Sequence, residues 1–148
     1  MEKHNDHTGS IASMNHSKFE ATLKIYFAAF AEKEPSRRLV LLAQCLTEDA
    51  QIWGPQKLFK GYQSISAKIE GFHERMPGAR LVLASGLYVF QNMAKFAVAI
   101  VGADGSIMAK GDAVNEFADD GRIFRVLPFW DALPPLPEAW PSQLVKEQ

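Results

Sequence analysis

The densest chemistry in the chain lies in "GDAVNEFADDGRIFRVLPFWD", residues Gly111 to Asp131. Asp112 brings a carboxylate that can take or give a proton. Asn115 brings an amide that can donate to a carbonyl oxygen or hold a water but cannot act as a base. His73, next to Phe72, adds an imidazole that ordinarily titrates near neutral pH and can shuttle protons. Trp53 closes an earlier apolar run and can cover the mouth of a pocket. Each has a plainer reading as well: Asp112 as an outer-face acid, His73 as a boundary residue, Trp53 as core. Side chains alternate along a strand, so Asp112 faces away from Ala113, Asn115 and Phe117 unless a bulge near Gly111 turns it inward.

Other candidates reduce to structure. Asp119 and Asp120 are explained by turn chemistry, and Glu70 and Glu74 are read as solvated. Arg37–Arg38 and Arg122 read as solvated ends, and Arg125 as facing outward. The one cysteine, Cys45, excludes an intrachain disulfide and sits in "RRLVLLAQCL", as a buried structural thiol would. His4, His7 and His16 match no closed metal site. There is no Gly-rich phosphate loop, no H-E-x-x-H and no nucleophile elbow, so neither metal nor cofactor is expected.

The elements that must position these groups follow from periodicity. Residues 1–16 are polar and aperiodic and are expected to be a disordered tail. Ser17 with Glu20 makes a capping box, and Phe19, Leu23, Phe27 and Phe30 form a helical stripe that Pro35 ends. A second, more uniformly apolar helix runs from about Ser36 to Cys45 and is expected to be buried. "AQIW" is a short strand, and a loop leads on to Gly61. Ile65, Ile69, Phe72 and Met76 mark a third helix, stopped at Pro77–Gly78. Four strands follow: "ARLVLASGLYVF" read as one, "NMAKFAVAIV", "IMAKGDAVNEF" and "RIFRVLPFW". Asp104–Gly105 and Asp120–Gly121 make hairpin turns. The domain is expected over 17–133, with a Pro-rich extended tail at 134–148. Helices before an antiparallel meander imply an α+β fold.

The chain has 148 residues, enough for one domain, and 47% of them are apolar, enough for a sizeable core. A formal net charge of −1 gives no general pull toward nucleic acid or an acidic membrane. With neither a signal-peptide pattern nor a membrane-spanning run, the expectation is a cytoplasmic protein.

Four stretches, taken in order, resemble the SnoaL-like or NTF2-like superfamily, which includes ketosteroid isomerases and polyketide cyclases. They are "LLAQCLTEDAQIWGP", "FKGYQSISAKIEGFHERMPGARLVLASG", "GDAVNEFADDGRI" and "RVLPFWD". The resemblance implies a cone in which a bent antiparallel sheet of four to five strands packs against three helices. It also implies a pocket for a small hydrophobic molecule and a homodimer built on the sheet's outer face. Doubly apolar strands such as "LVLASGLYVF" and "FAVAIV" support the dimer. Ketosteroid isomerases use a carboxylate base with a tyrosine and a protonated acid at the enolate oxygen. Here Gly54 stands at the base position, before Pro55, and Ala113 stands at the acid position, four before Phe117. Tyr26 matches the tyrosine and Trp130 the pocket tryptophan. "KGD" at Lys110–Asp112 is similar to the Arg-x-Asp pair of limonene-epoxide-hydrolase relatives, but lysine lacks the bidentate fork.

Two readings stay open. In one, an isomerase, cyclase or dehydratase acts on a hydrophobic ring or polyketide-like substrate. Tyr26 then orients an oxygen, Asp112 or His73 moves the proton, and Trp53, Phe72, Asn115, Phe117 and Trp130 bind the ligand. In the other, the protein is a non-catalytic binding or interaction module.

Overall fold

The computed structural model describes residues 2–141, with side chains from residue 15 onward. Its elements are α1 (Glu2–Ala31), α2 (Pro35–Cys45), β1 (Leu46–Trp53), β2 (Leu58–Lys60) and α3 (Tyr62–Arg75). There follow β3 (Arg80–Leu83), β4 (Tyr88–Phe90), β5 (Met93–Val101), β6 (Ile107–Phe117) and β7 (Ile123–Phe129).

α1 runs unbroken across the boundary expected at residue 16, so Ser17 is an interior helical residue and not a cap. No proline interrupts the chain before Pro35, where the helix gives way. The side chains of His4 and His7, and residues 142–148 of the expected C-terminal tail, lie outside the described residues. α2 begins because Pro35 suits the first turn and the Glu34 carboxylate accepts from the Arg37 backbone N–H at 2.8 Å. It is not uniformly buried: Val40 is exposed while Leu42 and Cys45 are covered.

Arg38 is the sharper correction, because it is fully buried instead of solvated. Its guanidinium donates to the carbonyls of Glu32, Lys33 and Ser66, to the Ser66 hydroxyl, and to the Glu70 carboxylate at 3.0 Å. Its donors thus meet acceptors on the link between α1 and α2 and on α3, and this satisfies a buried charge.

The sheet is larger than the sequence implies. Seven strands form one bent, mixed sheet in the order β2-β1-β7-β6-β5-β3, with β4 also on β5. β1 and β7 pair in parallel; the other pairings are antiparallel. The single long strand expected at 79–90 is two, β3 and β4, both laid along β5. Between them Ser85 accepts the Ala97 backbone N–H on its hydroxyl at 2.8 Å, where a ladder carbonyl would otherwise stand.

The stripe of α1 and the apolar face of α3 pack on one face of this sheet. Phe19, Leu23, Tyr26, Phe30, Ile65, Ile69 and Phe72 meet Ala94, Phe96, Val98, Ala113, Phe117, Ile123 and Val126 in one core. Each large side chain so covered contributes about 1.5–3 kcal/mol. Phe19 stacks on Phe117 with ring centroids 3.9 Å apart and closes one end of the layer. Thr22 donates to the Gly121 carbonyl at 2.7 Å, tying α1 to the β6–β7 turn, where Gly121 adopts φ 88°. Among the described residues no helix is long and apolar enough to cross a membrane.

Candidate ligand cavity

At the other end of this layer the helices and sheet do not meet. They leave a cavity of about 210 Å³, lined chiefly by aromatic and aliphatic side chains. α1 supplies Tyr26, Phe27 and Phe30; α3 supplies Phe72, and Met76 follows just after it. Ile52 and Trp53 come from β1, Phe96 and Val98 from β5, Ala113 and Asn115 from β6, and Val126 and Pro128 from β7. Trp130 follows β7 and also lines it. Depth can be read from exposure: Asn115 is 0% exposed at the floor, whereas Trp53 is 46% exposed at the mouth, its indole N–H on the Gln51 side chain.

Asn115 reaches the cavity through its strand. The β5–β6 ladder holds one register from Met93↔Glu116 to Ile100↔Ala109, so no bulge interrupts it at Gly111. Alternation therefore points Ala113 and Asn115 inward together and leaves Asp112 outward. Asn115's Nδ2 and Oδ1 are both buried and both without a hydrogen-bond partner among the described residues. Its cross-strand neighbours, Ala94 and Val126, are apolar and offer none. A buried, unanswered amide costs about 1–3 kcal/mol, and such groups call for an explanation. Facing an apolar cavity, this one can donate to and accept from an oxygen-bearing ligand.

Tyr26 is almost fully buried. Desolvation, with a smaller contribution from nearby Cys45, drives its phenol well above the ordinary tyrosine range. It therefore remains an O–H donor at any ordinary pH. Gly111 lets Trp130 take its place: a Cβ there would stand 2.5 Å from the Phe129 carbonyl oxygen and 2.9 Å from the Trp130 Cα.

Tyr26, Trp53, Phe72, Asn115 and Trp130 thus converge on one cavity, and three other expected site residues do not. Asp112 is exposed on the outer face, because the intact ladder gives it no rotation inward. His73 lies beside Phe72, 5.6 Å between ring centroids, but outside the lining; its Nε2 is buried without a partner among the described residues. Phe117 shares Asn115's face but lies farther along β6, where Phe19 covers it, and so belongs to the core. Among the described residues no Asp, Glu or His lines the cavity. Cys45 is buried, and burial pushes its thiol up to about 12, as befits a structural cysteine.

Two cations stand at the cavity that the apolar period of α3 does not mark. Lys68 and Arg75 both line it. Burial lowers the Lys68 pKa, and the charge of Arg75 lowers it further. Lys68 Nζ also lies over the Phe59 ring, 5.0 Å from its centroid.

No family model matches the chain, and no curated protein matches it. Solved structures do. A proposed isomerase of the SnoaL-like family from Agrobacterium tumefaciens strain C58 is 30% identical, with a TM-score of 0.72, over 78% of this chain and 99% of that one. A proposed SnoaL-like polyketide cyclase from Jannaschia is 13% identical at TM-score 0.63, over 78% and 87%. A protein of unknown function with a cystatin-like fold from Methylobium petroleophilum is 15% identical at TM-score 0.65, over 84% and 81%. At those lower identities the likeness is one of fold alone.

Proposed function

The chain belongs to the SnoaL-like family, and from that premise we propose that it binds a small apolar molecule carrying a carbonyl or hydroxyl oxygen. The observation that carries this reading is the Asn115 amide, buried and unanswered at the floor of an apolar cavity. Asn115 donates to the ligand oxygen and Tyr26 supplies a second donor. Phe72, Trp53 and Trp130 hold the apolar body. The cavity's 210 Å³ exceeds the roughly 150 Å³ that accommodates benzene but falls short of the roughly 300 Å³ at which drug-sized pockets begin. The ligand class is therefore a single ring or a short chain. The protein works in the cytoplasm and pairs as a homodimer through the outer face of the sheet. That face leaves Tyr88, Phe90, Ile107 and Phe129 exposed, and light scattering at micromolar concentration should give twice the chain mass.

The SnoaL-like relative described as a proposed isomerase favours a second reading, in which the bound ring is rearranged by proton transfer. The cavity's want of a carboxylate or imidazole weighs for binding over that chemistry. One experiment addresses both. A thermal-shift screen with one-ring ketones and alcohols should raise the melting temperature by mass action. The shift should shrink in Trp130→Ala and vanish in Asn115→Leu. An equal shift in Asn115→Leu would remove the amide from the site, and no shift at all would remove the site. Chromatography of a binder after incubation should return it unchanged; saturable conversion would establish the catalytic reading.

A further inference from the structure

Around the mouth of the cavity the charge is one-sided. Lys68 and Arg75 line the main cavity and also a neighbouring recess of about 350 Å³, whose walls include Lys57, Phe59 and Ser64. Among the described residues neither space has an Asp or Glu in its lining. Elsewhere three arginines each meet a carboxylate: Arg38 with Glu70, Arg122 with Asp120, Arg125 with Glu116. Lys57, Lys68 and Arg75 form no ion pair among the described residues, although the whole chain has as many acids as bases to within one. Two of the three instead lie over an aromatic ring: Lys57 Nζ and Lys68 Nζ are 5.1 and 5.0 Å from the Phe59 centroid.

The backbone makes room for this arrangement. A Cβ on Gly71 would stand 3.0 Å from the Arg75 Nη1, so the guanidinium folds back over α3 and stays beside Lys68. Like charges held together without a counterion repel, and partial burial sharpens the cost. An anion seated between them reverses the sign of both effects. A guanidinium fork and an ammonium together suit a carboxylate, which accepts bidentate hydrogen bonds from the fork.

We propose that the ligand is an amphipathic carboxylate, its single ring or short chain in the cavity and its carboxylate held at the mouth between Lys68 and Arg75. The proposal rests on the cavity being the ligand site and adds a charge to what it takes.

The test compares acids with neutral amides of the same shape. Binding of 4-hydroxy-trans-cinnamate and 6-hydroxyhexanoate, whose hydroxyl is the oxygen for Asn115 at the floor, is measured by calorimetry against the corresponding amides. Wild-type protein should favour the acids by about tenfold or more, as expected for charge-assisted hydrogen bonds. Rising salt should narrow that gap. In Lys68→Met/Arg75→Met the gap should close through loss of acid binding, the amides falling much less because the aliphatic lining is kept. Equal binding of acid and amide in the wild type, or a gap that survives the double variant, overturns the anion proposal. The cavity is checked independently with Ala113→Phe, which fills it, or Val98→Met should the first not fold. If amides bind and the filled variants lose them, the cavity stands whatever the charge result. Binding that survives in the filled variants, or no binding by any of the four compounds, overturns both.

Discussion

Asn115 and Phe117 sit two residues apart on one face of one strand and meet different fates. Alternation, legible in "GDAVNEF", places both inward and Asp112 outward, as observed. Depth along the strand was not legible, because it depends on what arrives from elsewhere. Phe19 of α1 lands on Phe117 and seals it into the core, while nothing polar lands on Asn115. An amide left in that state weakens the empty protein. Asn115→Leu, close in volume and free of polar atoms, should therefore raise unfolding free energy by about 1–2 kcal/mol in urea denaturation, while ketone binding is lost. A fall in stability would mean that the amide is answered in solution by a group or water that leucine cannot replace. Arg38 was misread for the complementary reason. An arginine at a helix start looks solvated in sequence, and only the meeting of three helices supplies the carbonyls and the Glu70 carboxylate that make its burial tolerable.

At the scale of elements, α3 shows what a hydrophobic period conveys. Ile65, Ile69 and Phe72 are buried as their spacing requires. The period marks the face that meets the core and is silent about its flank, where Lys68 and Arg75, seven positions apart, border two recesses. Gly71 lies between them, inside the helix. Its replacement by alanine should favour the helix by about 0.5–1 kcal/mol, because the group in the way is the far end of a flexible side chain. The same Cβ displaces the Arg75 guanidinium. Gly71→Ala should thus melt at a higher temperature while losing part of any preference for acids over amides. A lower melting temperature would show that the guanidinium cannot give way. Among strands, hairpin partners were legible from Asp-Gly turns. β2 and the parallel pairing of β1 with β7 were not, since partners far apart in the chain leave no local pattern. The division of β3 from β4 turns on one serine hydroxyl taking the place of a backbone acceptor.

For the whole molecule, length pointed to a single domain and the order of elements to an α+β fold, while net charge gave no sign of where the charge would gather. Its response to alkali follows from two buried acids, Cys45 and Tyr26, that the fold keeps protonated. Both have folded-state pKa values raised above those of the unfolded chain. The thiol's contribution is fully present below its unfolded value of 9.0 and is lost as pH rises toward about 12, and the phenol's is lost at still higher pH. Denaturation midpoints should hold steady up to about pH 8.5 and then fall, with a slope near 1.4 kcal/mol per pH unit from the thiol and more once the phenol joins. Cys45→Ala should lower the plateau and remove the thiol's part of that slope; an unchanged slope would place the alkaline loss elsewhere. The parallel pairing of β1 with β7 has a consequence in time. Ile52 and Trp53 are made early, Val126 and Trp130 late, and roughly 70 residues separate the two strands in the chain. At common rates of synthesis the ribosome needs roughly 4–14 s to make that interval. Throughout it, one edge of β1 waits without its neighbour, and the newborn chain has no finished cavity to offer a ligand.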